Sequence, residues 1–546
     1  MADRRVLAIG LDGFEVTVAN ALMASGELPA LAALHERSAR FLLDHGDAKR
    51  TGLAWEHIST GLSPARARRF AAVSFDPLDY SLWQEGTWFR PFVDELSSRT
   101  VVFDPPYFDL TRAERTQGVV GWGAHDPGIL AGSRPERLWS EIEARFGAYP
   151  AEKWIYGLTW PCPSKTRLMA GSLVQAVDTR AEAAMWLLSE RLPDWELAIV
   201  VISELHSAIE ALWHGIDPMH PLHHLPSSVP AGQGLKAVYR AVDRLVGTFV
   251  QRFSDAIIVT FAAHGMGPND SDVPGMLLLP ELLYRKSFGR PLLREPSSWL
   301  NADNGVPLLN SDESWSRAVA SALGERQSLS KLAHKVARRL LRHWPAHAKE
   351  AATSSARDGV EPNYRISVDW MPAAKYRRHW PNMTAFALPA FYDGRVRLNL
   401  AGRERHGKVA LERYGSTCDE VEALIRDCRD PRTGEPIVSR LERCGGDNPT
   451  AIGPTESDLL VEWRSAPLSL IHPTIGQIGP VPYRRTGGHT GAHGFAFVTG
   501  RGIAPGDYGI RSTFDIVPTM IDLLGEHVPP TLSGTSLFSK VSDAVL

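Results

Sequence analysis

The sequence predicts an α/β fold: a mostly parallel central sheet with helices on both faces and cap insertions. Three observations predict it. Four short apolar runs, Val6–Leu11, Leu197–Ile202, residues 256–261 and residues 495–498, show no alternation and are bounded by polar or glycine residues. That is the pattern of parallel strands buried on both faces. Amphipathic stretches at 16–34, 179–190, 235–253 and 514–524 follow or intervene, and strands alternating with helices give a parallel sheet covered on both sides. Finally, three of the runs end at or near Asp12, His206 and His264. In open α/β sheets, ligands bind outside the carboxyl ends of the strands.

The 546 residues are long enough for three or four domains of ~150 residues, or for one large α/β domain with insertions. The second organisation is expected, with one domain spanning 1–546. Residues 75–170, rich in Trp, Phe, Pro and Gly, are expected to form a cap, and 285–385 a second irregular insertion. The latter holds a basic amphipathic segment at 329–342. Such a segment is a solvated helix face or a surface that draws in anions. Residues 411–444 read as a helical excursion, and no internal repeat is visible.

Composition excludes several classes. Lys and Arg number 59 and Asp and Glu 62, a net charge of −3, which argues against a generally basic nucleic-acid binder and an acidic disordered chain. Four cysteines without a CxxC pair argue against a disulfide framework or a thiolate zinc site. The first apolar run stops at Asp12 after six residues, too short for a signal-peptide core. No apolar run approaches the ~18 residues of a membrane span, and a cytoplasmic location is expected. Five of the 19 histidines fall between His206 and His224, which directs attention to metal binding.

Four segments in order are Ile9-Gly-Leu-Asp12-Gly-Phe, Thr51-Gly-Leu-Ala-Trp-Glu-His-Ile-Ser-Thr60-Gly61-Leu-Ser-Pro64, Val201-Ile-Ser-Glu204-Leu-His206-Ser-Ala-Ile-Glu210, and Ala263-His264-Gly265. With Thr486-Gly-Gly-His489 and Asp515-Ile-Val-Pro-Thr-Met, they resemble the alkaline phosphatase superfamily, type I phosphodiesterase/nucleotide pyrophosphatase branch, over most of the chain. The resemblance implies an alkaline-phosphatase-like fold and two divalent cations that clamp the attacking and leaving oxygens of a phosphoryl group. It implies that Thr51 is the nucleophile, activated by metal coordination. It further implies one metal site of His206, Glu210 and His489 and another of Asp12, Thr51 and His264. Zinc is the metal expected, as one or two ions, with manganese or iron as alternatives.

The metal-ligand set is degenerate relative to the family pattern. Where the family has Asp then His four residues apart, this chain has His206 then Glu210, which share a face on a helix. Ala263 stands where the family has a metal-binding Asp, and Ala54 where pyrophosphatases carry a phosphate-holding Asn. Glu204, Asp270 and Asp272 are near enough in sequence to replace the lost carboxylate. His125 and Arg485 are candidates for substrate binding, the first from the cap and the second through its guanidinium; a structural loop and a surface ion pair are the respective alternatives. Asp12 could equally be a helix cap, and Thr51 a turn-capping hydroxyl. Cys162-Pro-Ser-Lys165 is a poor match to the sulfatase signature.

The reading is a metal-dependent hydrolase of a small-molecule phosphate ester, most readily a phosphodiester or pyrophosphate, with no nucleic-acid binding. A non-catalytic homologue that binds a phosphorylated ligand or partner, and a phosphomutase or phosphotransferase, are the alternatives.

Overall fold

The structure, a computed structural model, describes residues 4–156, 162–310, 313–324, 365–446 and 448–539. The basic segment at 329–342 lies outside the described residues. A nine-stranded sheet organises the chain. Its strands are β1 (Val6–Leu11), β2 (Ala39–Asp44), β3 (Thr100–Phe103), β4 (Gln117–Val120), β5 (Gly132–Arg134), β6 (Leu197–Ile202), β7 (Ile257–Ala262), β8 (Gly494–Thr499) and β9 (Gly506–Ser512). They lie in the order β9-β2-β8-β7-β1-β6-β3-β4-β5. β1 sits at the centre, in parallel register with β6 (Val6 opposite Leu197) and with β7 (Val6 opposite Ile257). Only β5 and β8 run against the others.

The alternation of a strand's side chains sends each buried run to two cores at once. From β1, Leu7, Ile9 and Leu11 enter one core, while Val6 and Ala8 enter the other. Helices α1 (Val16–Ala24), α2 (Pro29–Glu36), α4 (Pro163–Trp186), α5 (Glu204–Leu212) and α6 (Ser228–Arg252) cover the first face. Helices α3 (Ala54–Thr60) and α7 (Ile516–Leu524) cover the second. The expected helix at 16–34 is therefore two helices. They part at Gly26, in the left-handed region at φ +76°, and the second begins with Pro29 in its first turn, where a proline costs no hydrogen bond.

Two expectations change. Residues 495–498 form a buried strand, but β8 runs antiparallel to β7 and β2. Apolar composition records burial and not direction. Residues 75–170 are also more than a cap, since β3, β4 and β5 complete one side of the sheet. Aromatic and glycine content hid these short strands, of four, four and three residues. A third core forms around a four-stranded antiparallel sheet of Ala385–Leu388, Gly394–Leu398, Leu459–Trp463 and Val438–Arg443. Trp299, Trp315, Tyr376 and Trp380, from the described parts of 285–385, pack into it. Residues 411–444 combine a helix, Tyr414–Arg426, with one of these strands.

The turn after β1 decides how closely the site can assemble. Gly13 has φ +71°, and a Cβ placed there would lie 2.2 Å from the Cα of His206. Only glycine lets the end of β1 press against the first turn of α5. Gly13→Ala is expected to lower the melting temperature far more than Gly26→Ala. Gly26 has a similar φ but nothing within 4 Å of its would-be Cβ, so that change should cost only ~1–2 kcal/mol of left-handed strain. Thermal melts of the two variants test the difference.

Candidate metal centre

The site is assembled along one edge of the sheet. β1 runs straight into Asp12. α5 starts two residues after β6 and carries His206 and Glu210 one helical turn apart. β7 is followed by His264, the loop after β4 brings His125, and the loop before β8 brings Arg485 and His489. All seven side chains are buried.

His206 is the hub. Its Nδ1 lies 2.9 Å from Asp12 Oδ2, so the carboxylate holds the ring proton on Nδ1 and leaves the Nε2 lone pair facing the other way. That Nε2 is 3.0 Å from His489 Nε2 and 3.4 Å from Glu210 Oε1. The ring of His125 stacks on His206 with centroids 3.8 Å apart, and its Nε2 is 3.7 Å from Glu210 Oε2. Among the described residues, His125, His206 and Glu210 form the one group whose donor atoms all lie within 4.8 Å of one another. Two ligands of one zinc ion are separated by at most about 4.2 Å. His489 Nδ1 is buried without a hydrogen-bond partner. The donor set is chemically suited to a divalent transition metal.

Arg485 is buried and forms an ion pair with Glu210 Oε1. Its other nitrogens reach Asp272 at 2.6 and 3.0 Å, and Arg484 joins Asp272 at 3.0 Å. This is no surface ion pair. Loss of solvent pulls the Arg485 guanidinium down to about 10, so it stays charged at neutral pH.

Imidazoles continue across the edge. His264 packs 4.9 Å from His489, His45 lies 5.9 Å from His264, and His57 lies 5.2 Å from His45, all between ring centroids. With His206 and His125, these rings form an unbroken row of six. Burial is the main cause that holds His57 down at about 3 and His264 at about 4. His45, His125 and His489 are pushed well below the usual imidazole range, also by burial and then by neighbouring imidazoles. Neutral imidazoles are the form that binds metal.

Thr51 is buried at the end of the turn Gly46–Thr51. Its hydroxyl donates to Ala48 O at 2.8 Å and accepts from Leu53 N at 3.1 Å. The adjacent Gly52 lies against the ring of Tyr392, which packs 4.3 Å from His489. The three carboxylates considered as replacements for the residue missing at Ala263 have other surroundings. Glu204 pairs at 2.9 Å with Arg180, which also holds Asp104. Asp272 holds Arg484 and Arg485. Burial pushes the carboxyl of Asp270 up to about 6, with Lys49 opposing. His214 and His220 are buried, and the His214 ring lies 3.2 Å from Ser227 Oγ. Sequence reasoning overlooked His45, His57 and Tyr392. His57 was within reach, six residues after Thr51 in a segment already singled out.

No family model matches the chain, and no curated protein matches it. Solved structures do. Phosphonoacetate hydrolase from Sinorhizobium meliloti 1021 in complex with phosphonoformate is 13% identical, over 96% of this chain and 95% of that one, with a TM-score of 0.46. Human ectonucleotide pyrophosphatase/phosphodiesterase 5 is 9% identical over 98% of both chains, with a TM-score of 0.44. Its murine counterpart, in complex with AMP, is 9% identical over 96% of both, also at 0.44. Each likeness runs the length of both chains, at an identity and a TM-score too low to assign an activity.

The buried imidazoles make the fold acid-labile. His57, His264, His214 and His220 sit at about 3, 4, 3 and 4 in the folded chain, against ~6.5 in an unfolded one. Above ~6.5 neither state binds these protons. As pH falls from there toward 4 only the unfolded state does, and stability is lost. Melting temperature should therefore hold steady from pH 7 to 8 and fall steeply between about 6.5 and 4.

Proposed function

We propose that the chain is a metal-dependent hydrolase of phosphate esters of the alkaline phosphatase type, acting on a phosphodiester or pyrophosphate. The observation that carries this reading is the convergence of Asp12, His125, His206, Glu210 and His489 at the strand-end edge of the sheet, from four separate segments of the chain. His206, Glu210 and His489 would hold one divalent ion, with His125 added by its position beside Glu210. Asp12, Thr51 and His264 would serve the second position. Zinc suits the imidazole-rich donors, and manganese or iron are alternatives. A bound divalent ion supplies positive charge at the phosphoryl oxygens and lowers the pKa of a coordinated hydroxyl.

The chain's own residues do the rest. Asp12 fixes the tautomer and orientation of His206 through the 2.9 Å contact. Arg485, charged and buried, offers hydrogen bonds to a phosphate oxygen beside Glu210. Thr51 attacks phosphorus through Oγ1, its proton leaving with the first alcohol as that P–O ester bond breaks, and water then cleaves the Thr51–phosphorus bond to release the phosphate monoester that keeps the second ester group. For that role its hydroxyl must give up its proton bond to Ala48 O. The bond itself, with Ala263 in place of a carboxylate, favours a second reading: a non-catalytic homologue that binds a phosphorylated ligand.

Turnover of a chromogenic aryl phosphodiester, with zinc or manganese added, separates the two. On the enzyme reading, Thr51→Ala lowers kcat by ~10³-fold or more and abolishes a covalent adduct on Thr51, the phosphoryl group with its remaining aryl ester, detectable by mass spectrometry after acid quench. His206→Ala should lose bound metal. Wild-type protein no faster than Thr51→Ala would leave the binding reading.

A further inference from the structure

We propose that Ser207 is a positioning residue of the metal centre: its hydroxyl fixes the tautomer and the orientation of His125, so that the free ring nitrogen of this histidine turns toward Glu210. The inference rests on the metal-dependent reading proposed above and adds a residue which that reading does not use.

Ser207 follows His206 in α5 and stands three residues before Glu210, so it shares the side of the helix that faces the site. A serine inside a helix commonly turns its hydroxyl back on the carbonyl four residues earlier, or out to solvent. Ser207 does neither. It is buried, and its Oγ donates to Ile155 O at 2.9 Å. Ile155 ends the turn Glu152–Trp154 and packs against the first core, so that acceptor is held in place by packing. A hydroxyl has one proton to give. With it spent on Ile155 O, Ser207 Oγ has only lone pairs left for His125 Nδ1, 3.1 Å away. His125 Nδ1 therefore carries the ring proton and donates it to Ser207, and Nε2 carries the lone pair.

Ring packing alone does not decide this. The His125 ring packs on His206 at 3.8 Å and 19°, and on Tyr156 at 4.8 Å. Those contacts set the plane of the imidazole. A half-turn about the Cβ–Cγ bond keeps that plane but exchanges Nδ1 with Cδ2 and Nε2 with Cε1. The flipped ring would put a carbon, which cannot ligate, in the place of Nε2 beside Glu210 Oε2. Only the bond to Ser207 tells the two apart. The outcome is a matched pair of ligands. Asp12 holds the His206 proton on Nδ1, and Ser207 does the same for His125. Both Nε2 lone pairs are left on the side of Glu210, 3.4 and 3.7 Å from its two oxygens, and each outer N–H keeps an acceptor. These are the three residues whose donor atoms all lie within 4.8 Å of one another. Partners that orient a ligating histidine in this way are worth ~10–100-fold in metal affinity.

Zinc affinity of the full chain, measured by competition with a chromogenic chelator, tests the role. Ser207→Ala should lower it ~10–100-fold, with thermal melts showing that the variant still folds. His125→Ala should lower it at least as much. In the His125→Ala background, Ser207→Ala should have no further effect, because no ring is left to orient. Ser207→Ala that binds zinc as tightly as wild type overturns the inference and leaves the metal centre in place. A loss that persists undiminished in the His125→Ala background also overturns it, since the hydroxyl would then act on the fold and not through His125. A wild-type chain that holds neither zinc nor manganese removes the metal centre itself, and with it both the proposed function and the role of Ser207.

Discussion

The direction of one strand governs where the chemistry can gather. β8 is the only strand near the centre of the sheet that runs antiparallel, and its start therefore lies at the edge where β1, β6 and β7 end. The loop that precedes it, with Arg485 and His489, consequently meets Asp12, His206 and His264. A parallel β8 would have put His489 at the opposite edge, about the length of a six-residue strand away, or ~20 Å. Close approach of the backbones then completes the assembly. A Cβ on Gly491 would lie 2.4 Å from the carbonyl carbon of Gly265, and one on Gly487 would lie 2.2 Å from Ile209 O.

Burial of so many titratable groups at one edge is tolerable only because charge is handled locally. His45, His57, His125, His264 and His489 stay neutral, since desolvation disfavours their charged form. The carboxylates are paired. Glu210 and Asp272 share Arg485, and Glu204 and Asp104 share Arg180. Arg180 and its two partners are completely buried, a geometry in which removing one member strands the others at a cost of several kcal/mol. They tie α4, the loop after β3 and the first turn of α5 into a rigid support beneath His206.

The central strands were legible because each is a short apolar run with a polar end, and the placement of Asp12, His206 and His264 followed from them. The i, i+4 relation of His206 and Glu210 needed only the knowledge that a helix starts after β6. Other features were not legible for physical reasons. Direction is absent from hydropathy, so β8 was misread. β3, β4 and β5, of four, four and three residues, are too short to stand out among the aromatic and glycine residues of 75–170. His125 and Arg485 were visible as candidates, but their partners lie 85 and 213 or more positions away in sequence, in Glu210 and Asp272. His45 and His57 carry no spacing signature, since they meet only when β2 and α3 pack. Nor does a hydroxyl advertise its partner. Thr51 looks the same in a sequence whether it faces a phosphate or the carbonyl of Ala48.

Glu210 is where the electrostatics of the site meet. One of its oxygens faces Arg485 and lies 3.4 Å from His206, and the other faces His125. An ion held by these imidazoles would share the carboxylate with a guanidinium that remains charged at neutral pH. Two cations on one buried carboxylate repel each other strongly where water is excluded. Asp272 offsets part of that repulsion, being bound to Arg485 through both oxygens, yet it is already shared with Arg484. A phosphate lying across the ion and Arg485 would supply the missing negative charge. On the proposed reading, ion and phosphate therefore strengthen each other's binding, and the pairing of Arg485 with Glu210 is the charge arrangement that each must reorganise to enter.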